Sequence, residues 1–142
     1  MQINIGEEMK IDLRTPDIRT CEVGTIVISK TGHEFELLER TNGKDVWKDL
    51  TSGLVWFDME KEKYTHNEAV EKFKDRLPTI EEFAEAEKHG FRDILPNIED
   101  RWFWSASLYP TGTYNARGFN GYNGDTYNYT RVSYFSVRCV GR

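Results

Sequence analysis

Few residues of this chain are spaced for covalent chemistry. Its two cysteines, Cys21 and Cys139, stand near opposite ends of the sequence. The thiolate is the reactive form, and a thiol in apolar surroundings seldom ionises. Cys139 falls in an alternating stretch, 133–140, that sets Phe135, Val137 and Cys139 on one side. It is therefore expected to point inward. A Cys21–Cys139 disulfide and two separate buried thiols are both open readings. The three histidines, His33, His66 and His89, fall on a hairpin, a helix N-terminus and a helix C-terminus. Nothing in the sequence groups them into a facial metal site, and His89 is accounted for by the negative end of its helix dipole. Asp125 lacks the companion carboxylates of a calcium cage and reads as a turn residue. Glu81-Glu82 and Glu85/Glu87 read as the solvated face of a helix. No Gly-rich phosphate loop follows a strand and precedes a helix. The expectation is a protein with no catalytic residue, no metal ligand and no cofactor.

The elements that would position a site are read from periodicity. Residues 1–20 form a polar lead-in broken by Pro16. Residues 22–29 (EVGTIVIS) predict a strand, Thr31-Gly32 a turn, and 33–40 (HEFELLER) the return strand of a hairpin. Together with the Asn42-Gly43 turn, these make an N-terminal section over 1–45. Val46-Trp47 and 54–57 (LVWF) predict short strands around Thr51-Ser52-Gly53. Thr65 and Glu68 form a capping-box pattern, and so do Thr79 and Glu82. The first helix, 67–74, is expected to bury Ala69, Val70 and Phe73. The second, 80–89, is expected to bury Ile80, Phe83, Ala84 and the stem of Glu87, with Gly90 as its C-terminal stop. Residues 102–107 (WFWSAS) alternate aromatic and small, 116–134 are punctuated by Gly and Asn and read as long loops, and 133–140 reads as a closing strand with Arg138 in a structural role. Trp47, Trp56, Trp102 and Trp104 are expected in the core. Strands, two helices and strands again give an α+β plan in one domain, 1–142.

Composition carries the functional signal. From residue 105 to the end there is no Lys, Glu, Gln, Met or Trp, although the chain has nine lysines and fifteen glutamates. Six of the seven tyrosines and four of the eight asparagines lie there. Solvated loops ordinarily carry Lys and Glu. Tyr, Ser, Gly and Asn are instead the alphabet of recognition loops, where Tyr gives large contact area at small entropy cost. The same alphabet also suits an invariant Gly-rich loop stapled by aromatics. The net charge of −5 with no dominant basic patch argues against nucleic acid. No apolar run approaches the ~20 residues of a membrane span, and the first residues carry no signal-peptide pattern.

Five segments in order resemble a known family: 47–56 (WKDLTSGLVW), 64–69 (YTHNEA), 76–83 (RLPTIEEF), 102–107 (WFWSAS) and 137–140 (VRCV). Their order and spacing are similar to the C-terminal domain of bacterial collagen-like surface proteins. That group belongs to the formylglycine-generating-enzyme-like branch of the C-type lectin fold. The resemblance covers about residues 46–142 and implies small antiparallel sheets, two short helices and a loop-rich C-terminal segment. Family members often carry a Cys on the first helix that pairs with the C-terminal one. Phe73 stands near that place here, so the bridge is not implied for this chain. The calcium triplets of sugar-binding C-type lectins are missing too, with Pro96-Asn97 and Pro110-Thr111 the nearest approaches.

Within that fold the composition matches the variable proteins of diversity-generating retroelements. There, adenine misincorporation rewrites AAY codons for Asn, and the products cannot include Lys, Glu, Gln, Met or Trp. The resemblance implies a ligand-binding protein with a hypervariable region over 102–140. Its end strands, 102–107 and 133–140, would clamp the segment, and Ala116 and Phe119 would face inward. The implied contact residues are Tyr109, Tyr114, Asn115, Arg117, Asn120, Tyr122, Asn123, Tyr127, Asn128 and Tyr129. The implied partner is an unknown protein or glycan ligand on a target surface, and a virion or cell surface is the implied location. Neither the ligand nor the oligomeric state is written in these residues. The alternative is an invariant surface adhesion or glycan-binding domain, which predicts an aromatic shelf. An enzyme of the same fold would need a reactive Cys139.

Overall fold

A computed structural model describes residues 10–12, 18–108 and 114–142. Among these, nine strands and two α-helices form an α+β arrangement of two sheets. The strands are β1 (Lys10–Asp12), β2 (Ile26–Ile28), β3 (Glu34–Thr41), β4 (Lys44–Asp49), β5 (Val55–Met59), β6 (Trp102–Leu108), β7 (Asn115–Asn120), β8 (Thr126–Thr130) and β9 (Arg138–Gly141). The helices are α1 (His66–Phe73) and α2 (Ile80–Lys88). The first sheet has the order β1-β2-β3-β4-β5-β9 and is antiparallel except for the β1–β2 pair. The second is the antiparallel meander β6-β7-β8.

Local chemistry sets most of these boundaries. Asn42 and Gly43 have φ of 53° and 76°, the positive values a two-residue hairpin turn requires, and Thr41 pairs with Lys44 across it. Both expected capping boxes form, with Thr65 and Glu68 exchanging bonds at α1 and Thr79 and Glu82 at α2. Gly90, at φ 82°, stops α2 in the left-handed conformation.

Three expectations need correction. The strand expected over 22–29 shrinks to Ile26–Ile28, because Gly24 (φ 95°) turns the chain and the Thr25 N–H donates to Glu22 O at 3.0 Å. The buried stripes are rotated. α1 buries His66, Ala69 and Phe73 and leaves Val70 exposed, and α2 buries Ala86 and leaves Ala84 half-buried. Most importantly, the long loops expected over 116–134 are largely the strands β7 and β8. Tyr and Thr suit a pleated surface, and an unbroken five-pair register with β7 supplies the order that apolar periodicity did not announce.

Two apolar clusters hold the sheets to the helices. One gathers Val27, Phe35, Leu37, Trp47, Trp56, Phe83, Phe91, Phe103 and Phe119. Phe83 of α2 stacks on Phe119 of β7 at 5.1 Å and 6°. Each fully buried Phe of this kind contributes on the order of 1.5–3 kcal/mol. The other joins Ala69, Phe73 and Leu77 to Trp104, Ala116, Val137 and Cys139. Trp47, Trp56 and Trp104 are fully buried, as expected, whereas Trp102 is half-buried.

Arg138 fills the structural role expected of it. Fully buried, it donates to Phe57 O at 2.7 Å, to Pro96 O and to Asn97 O at 3.3 Å, and it lies 3.7 Å from Asp58 Oδ1. Burial pulls its pKa down to about 10 against the pull of Asp58 and Asp45. The guanidinium thereby ties β9 to β5 and to the 96–97 turn.

Candidate functional site

The second sheet presents an aromatic row on one face. Register puts Trp102 opposite Asn120, Trp104 opposite Gly118, and Gly118 opposite Tyr127, with Ala116 opposite Tyr129. Paired residues share a face, so Trp102, Trp104, Tyr127 and Tyr129 line up. Phe135 completes the row by stacking on Trp102 at 5.8 Å and 18° and meeting Trp104 edge-on at 4.8 Å. Tyr127 meets Trp102 at 4.6 Å, and Tyr129 meets Phe135 at 5.3 Å. Edge-to-face arrangements of this kind favour the ring quadrupoles.

Two hollows flank that stack. One of about 230 Å³ is walled by Trp102, Tyr129 and Phe135. The other, of about 270 Å³, adds Lys63, Asp100, Arg101, Tyr122 and Tyr134 to Trp102 and Phe135. Ring faces shared with charged and hydroxyl groups can take up a partly apolar ligand and orient its polar edge. A larger hollow of about 520 Å³ lies by the β3–β4 hairpin and β5, walled by Glu39, Asp45, Asp58 and Glu60 among others. Its two buried carboxylates serve the fold. Asp45 is held by Arg40 and the Trp47 indole, and Asp58 accepts from the Asp45 N–H, the Met59 N–H and Asn97.

Glycines let the aromatic row form. A Cβ on Gly118 would strike the Tyr127 ring and sit 2.6 Å from Phe103 O. The bare glycine lets Tyr127 lie across β7 and donate its hydroxyl to Phe103 O at 3.2 Å. Burial pushes the Tyr127 phenol well above the ordinary tyrosine range. Gly121 is pressed against Ile98 O and donates to Arg101 O at 2.8 Å. Arg92, paired with Glu87 through two 2.7 Å bonds, reaches Gly121 O and Tyr122 O at 3.4 Å. The turn that carries Tyr122 is thus pinned from α2.

The segments expected to clamp the ends of this region bond directly. The Trp104 N–H donates to Ser136 O at 3.1 Å, and the Ser136 N–H donates to Trp102 O at 2.9 Å. Ala116 and Phe119 are fully buried, as expected.

The ten expected contact residues separate into groups. Tyr109 lies outside the described residues. Tyr114, Tyr122 and Tyr129 are 84%, 60% and 47% exposed and available for contact. Tyr127 is spent on the row's own packing. Asn120 and Asn123 are turn residues, since their side-chain oxygens accept the N–H of Tyr122 and of Asp125, each at 2.9 Å. That is the local Asx bonding that competes with intermolecular use of Asn. Asn115, Arg117 and Asn128 sit opposite Thr130, Asn128 and Arg117 in register, on the far face of the sheet from Trp102. They do not join the aromatic hollows.

Four contributors escaped the sequence reading. The sequence pattern puts Trp102 in the core and Phe135 inward, and it does not single out Tyr134 (62% exposed) or Arg101. The available signal was the continuity of the Tyr-rich alphabet through Tyr134-Phe135, and β9 begins only at Arg138.

Beneath the row lies His66. Its Nε2 is 2.9 Å from Ser105 O, so Nε2 carries the proton, and its ring meets Trp104 edge-on at 5.2 Å. Its Nδ1 is buried with no hydrogen-bond partner. Burial pulls the imidazole pKa down, opposed by the Ser105 carbonyl and assisted by Arg131. The other histidines are neighbours, contrary to expectation. His33 and His89 stack at 4.2 Å, and His89 Nδ1 lies 2.6 Å from Asp49 Oδ2. Asp49 also caps the Thr51 and Ser52 N–H groups, so this cluster ties the end of α2 to the β4–β5 turn. His89 is thus held by Asp49 as well as by its place at the end of a helix. Among the described residues, no group of three or more His, Cys, Asp and Glu is placed to hold a metal ion. Cys21 and Cys139 are free thiols. Burial pushes Cys139 up to about 11 and also raises Cys21. Phe73 shares the apolar cluster of Cys139.

No protein-family model matches this chain, and no curated protein matches it. Among the described residues, no helix is long and apolar enough to cross a membrane.

Proposed function

We propose that this chain is a ligand-binding protein of the variable type found with diversity-generating retroelements, built on a C-type-lectin-like scaffold. Its binding face is the Trp102–Phe135 stack with the exposed tyrosines Tyr114, Tyr122, Tyr129 and Tyr134 around it. The observation that carries the reading is that the exposed tyrosines of this face all lie in the stretch from Ser105 onward that lacks Lys, Glu, Gln, Met and Trp, with Trp102 just before it. Exposed tyrosines on a rigid backbone act as anchors, and the neighbouring Ser, Thr and Asn side chains adapt their hydrogen bonds. The role is non-covalent contact with a protein or glycan on a target surface.

The test is to sequence the encoding locus across a population, with the DNA downstream. A near-copy of the 3′ end that differs only at adenines, next to a reverse transcriptase, is the expected result. The differing codons should include those of Tyr114, Tyr122, Tyr129 and Tyr134. An invariant 3′ end with no second copy overturns the retroelement reading.

One observation favours a second reading. The 230 Å³ hollow walled by Trp102, Tyr129 and Phe135 has the form of an aromatic shelf on which a sugar ring can stack. An invariant glycan-binding domain uses the same shelf with no variation around it. Binding to a glycan array that is lost in Trp102→Ala, together with an invariant locus, selects that reading.

A further inference from the structure

The outer edge of β8 closes the second sheet on one side, and no other named strand pairs with it. Exposed edges are commonly blunted by Lys, Pro, a bulge or a charge pointing inward. β8 itself carries none of these, although its end is closed where the Ser133 N–H donates to Thr130 O at 3.1 Å. Its five residues are uncharged, and its register with β7 runs without a shift. Thr126, Asn128, Tyr129 and Thr130 are all exposed.

The sequence of this edge is self-complementary. Thr126-Tyr127-Asn128-Tyr129-Thr130 reads the same in both directions. When two such strands pair antiparallel about a two-fold axis through Asn128, each residue meets its chemical equal. Tyr127 falls opposite Tyr129 of the second copy, Thr126 opposite Thr130, and Asn128 opposite Asn128. Aromatic and Thr–Thr cross-strand pairs are among the favourable ones. One step beyond, the same register sets Asp125 opposite Arg131 of the second copy, twice by symmetry. Two chains that each carry a net charge of −5 therefore meet along a neutral strip with opposite charges at both ends.

We propose that β8 pairs with β8 of a second copy of this chain, joining two three-stranded sheets into a continuous six-stranded one. The Tyr127 and Tyr129 rings of both copies then lie on one face, which extends each aromatic row across the two-fold axis. The self-pairing is isologous, so the assembly closes at two copies. A five-residue edge covers less area than the ~1,600 Å² of a standard interface, so the dimer is weak and depends on concentration. The inference rests on this edge sequence as it stands, and because Tyr129 also walls the smaller hollow, a copy in which Tyr127, Asn128 or Tyr129 is rewritten is expected to lose the self-pairing.

The test is sedimentation equilibrium of the full chain over a dilution series, with two double variants. Thr126→Lys/Thr130→Lys places Lys opposite Lys in the proposed register, and Thr126→Glu/Thr130→Glu places Glu opposite Glu. The expected result is a wild-type monomer–dimer equilibrium, weakened about tenfold or more in each variant alone and restored when the two variants are mixed. Restoration in the mixture also shows that both variants are folded. Wild type that stays monomeric throughout, dimers that neither variant weakens, or a mixture that stays monomeric would each overturn the proposal. Tyr134→Ala, which alters the hollow and not the edge, should leave the dimer intact.

Discussion

Tyr127 crosses β7 at the one residue that has no side chain to meet it, Gly118, and its hydroxyl reaches Phe103 O at 3.2 Å. The pair decides whether the aromatic row can form. Gly118→Ala forces the ring off its seat, an overpacking change expected to destabilise by about 1–3 kcal/mol. Tyr127→Phe keeps the ring and removes one hydrogen bond, at about 1 kcal/mol. Urea unfolding of the two variants checks the order. A Gly118→Ala protein as stable as wild type would show that the row does not need this contact.

Stability should depend on pH through His66. Its folded-state pKa lies below the ordinary 6.5 because burial disfavours the imidazolium, with Arg131 adding to the effect. The unfolded chain therefore binds the proton first. Above about pH 6.5 both states are neutral and His66 adds no pH dependence. As pH falls below that value, the unfolded state gains protons that the folded state refuses, and stability declines until the folded pKa is passed. Comparing urea midpoints of wild type and His66→Gln from pH 7.5 down to pH 5 isolates the effect, since the variant should lose this part of the slope.

Removing the charge of Arg138 should be among the most damaging single changes. Arg138→Leu strands the carbonyls of Phe57, Pro96 and Asn97 and leaves Asp58 without its cation. Breaking a buried pair from one side typically costs about 3–5 kcal/mol. Thermal or chemical unfolding reads this directly, and a loss under about 1 kcal/mol would contradict the described network.

The thiols should be protected in the native state. Cys139 is buried with its pKa pushed up to about 11, so little thiolate exists at neutral pH. Labelling with a thiol reagent should be slow at Cys139, faster at the half-buried Cys21, and complete at both only in denaturant. Rapid native labelling of Cys139 would reopen a nucleophilic role.

The exposed tyrosines should tolerate truncation. Tyr114→Ala and Tyr134→Ala remove rings that are 84% and 62% exposed. Each is expected to shift stability by no more than about 0.5 kcal/mol, whereas Trp102→Ala should cost more by leaving Phe135 and Tyr127 without their partner. Melting temperatures separate the two classes.

Signals that act within a few residues were legible in the sequence. The capping boxes at Thr65 and Thr79, the Asn42-Gly43 turn and the Gly90 stop each depend on one local bond or one backbone angle, and each appeared where its residues stand. β7 and β8 were not legible as strands, because Asn, Gly and Tyr carry no apolar alternation there and the order comes from pairing of β7 with β6 and of β8 with β7. The His89–Asp49 contact joins residues 40 positions apart, beyond the reach of any local pattern. For the candidate site, composition pointed to Tyr114, Tyr122 and Tyr129. It misread Asn120 and Asn123, whose amides serve their own turn. It also missed Phe135, where alternation along 133–140 implied an inward side chain that is instead half-buried beside Trp102.

The paired bonds between Trp102, Trp104 and Ser136 have a topological meaning. They shut the excursion between them at its neck, so the chain enters and leaves it at one fixed place. The entropy of closing such a loop depends only weakly on its length. The scaffold constrains the interior of the excursion chiefly at Ser105, Ala116, Gly118, Phe119, Gly121 and Tyr127, where burial or close backbone approach admits few alternatives. The remaining positions form a cassette whose chemistry can be exchanged while the neck, and the fold outside it, stays as it is.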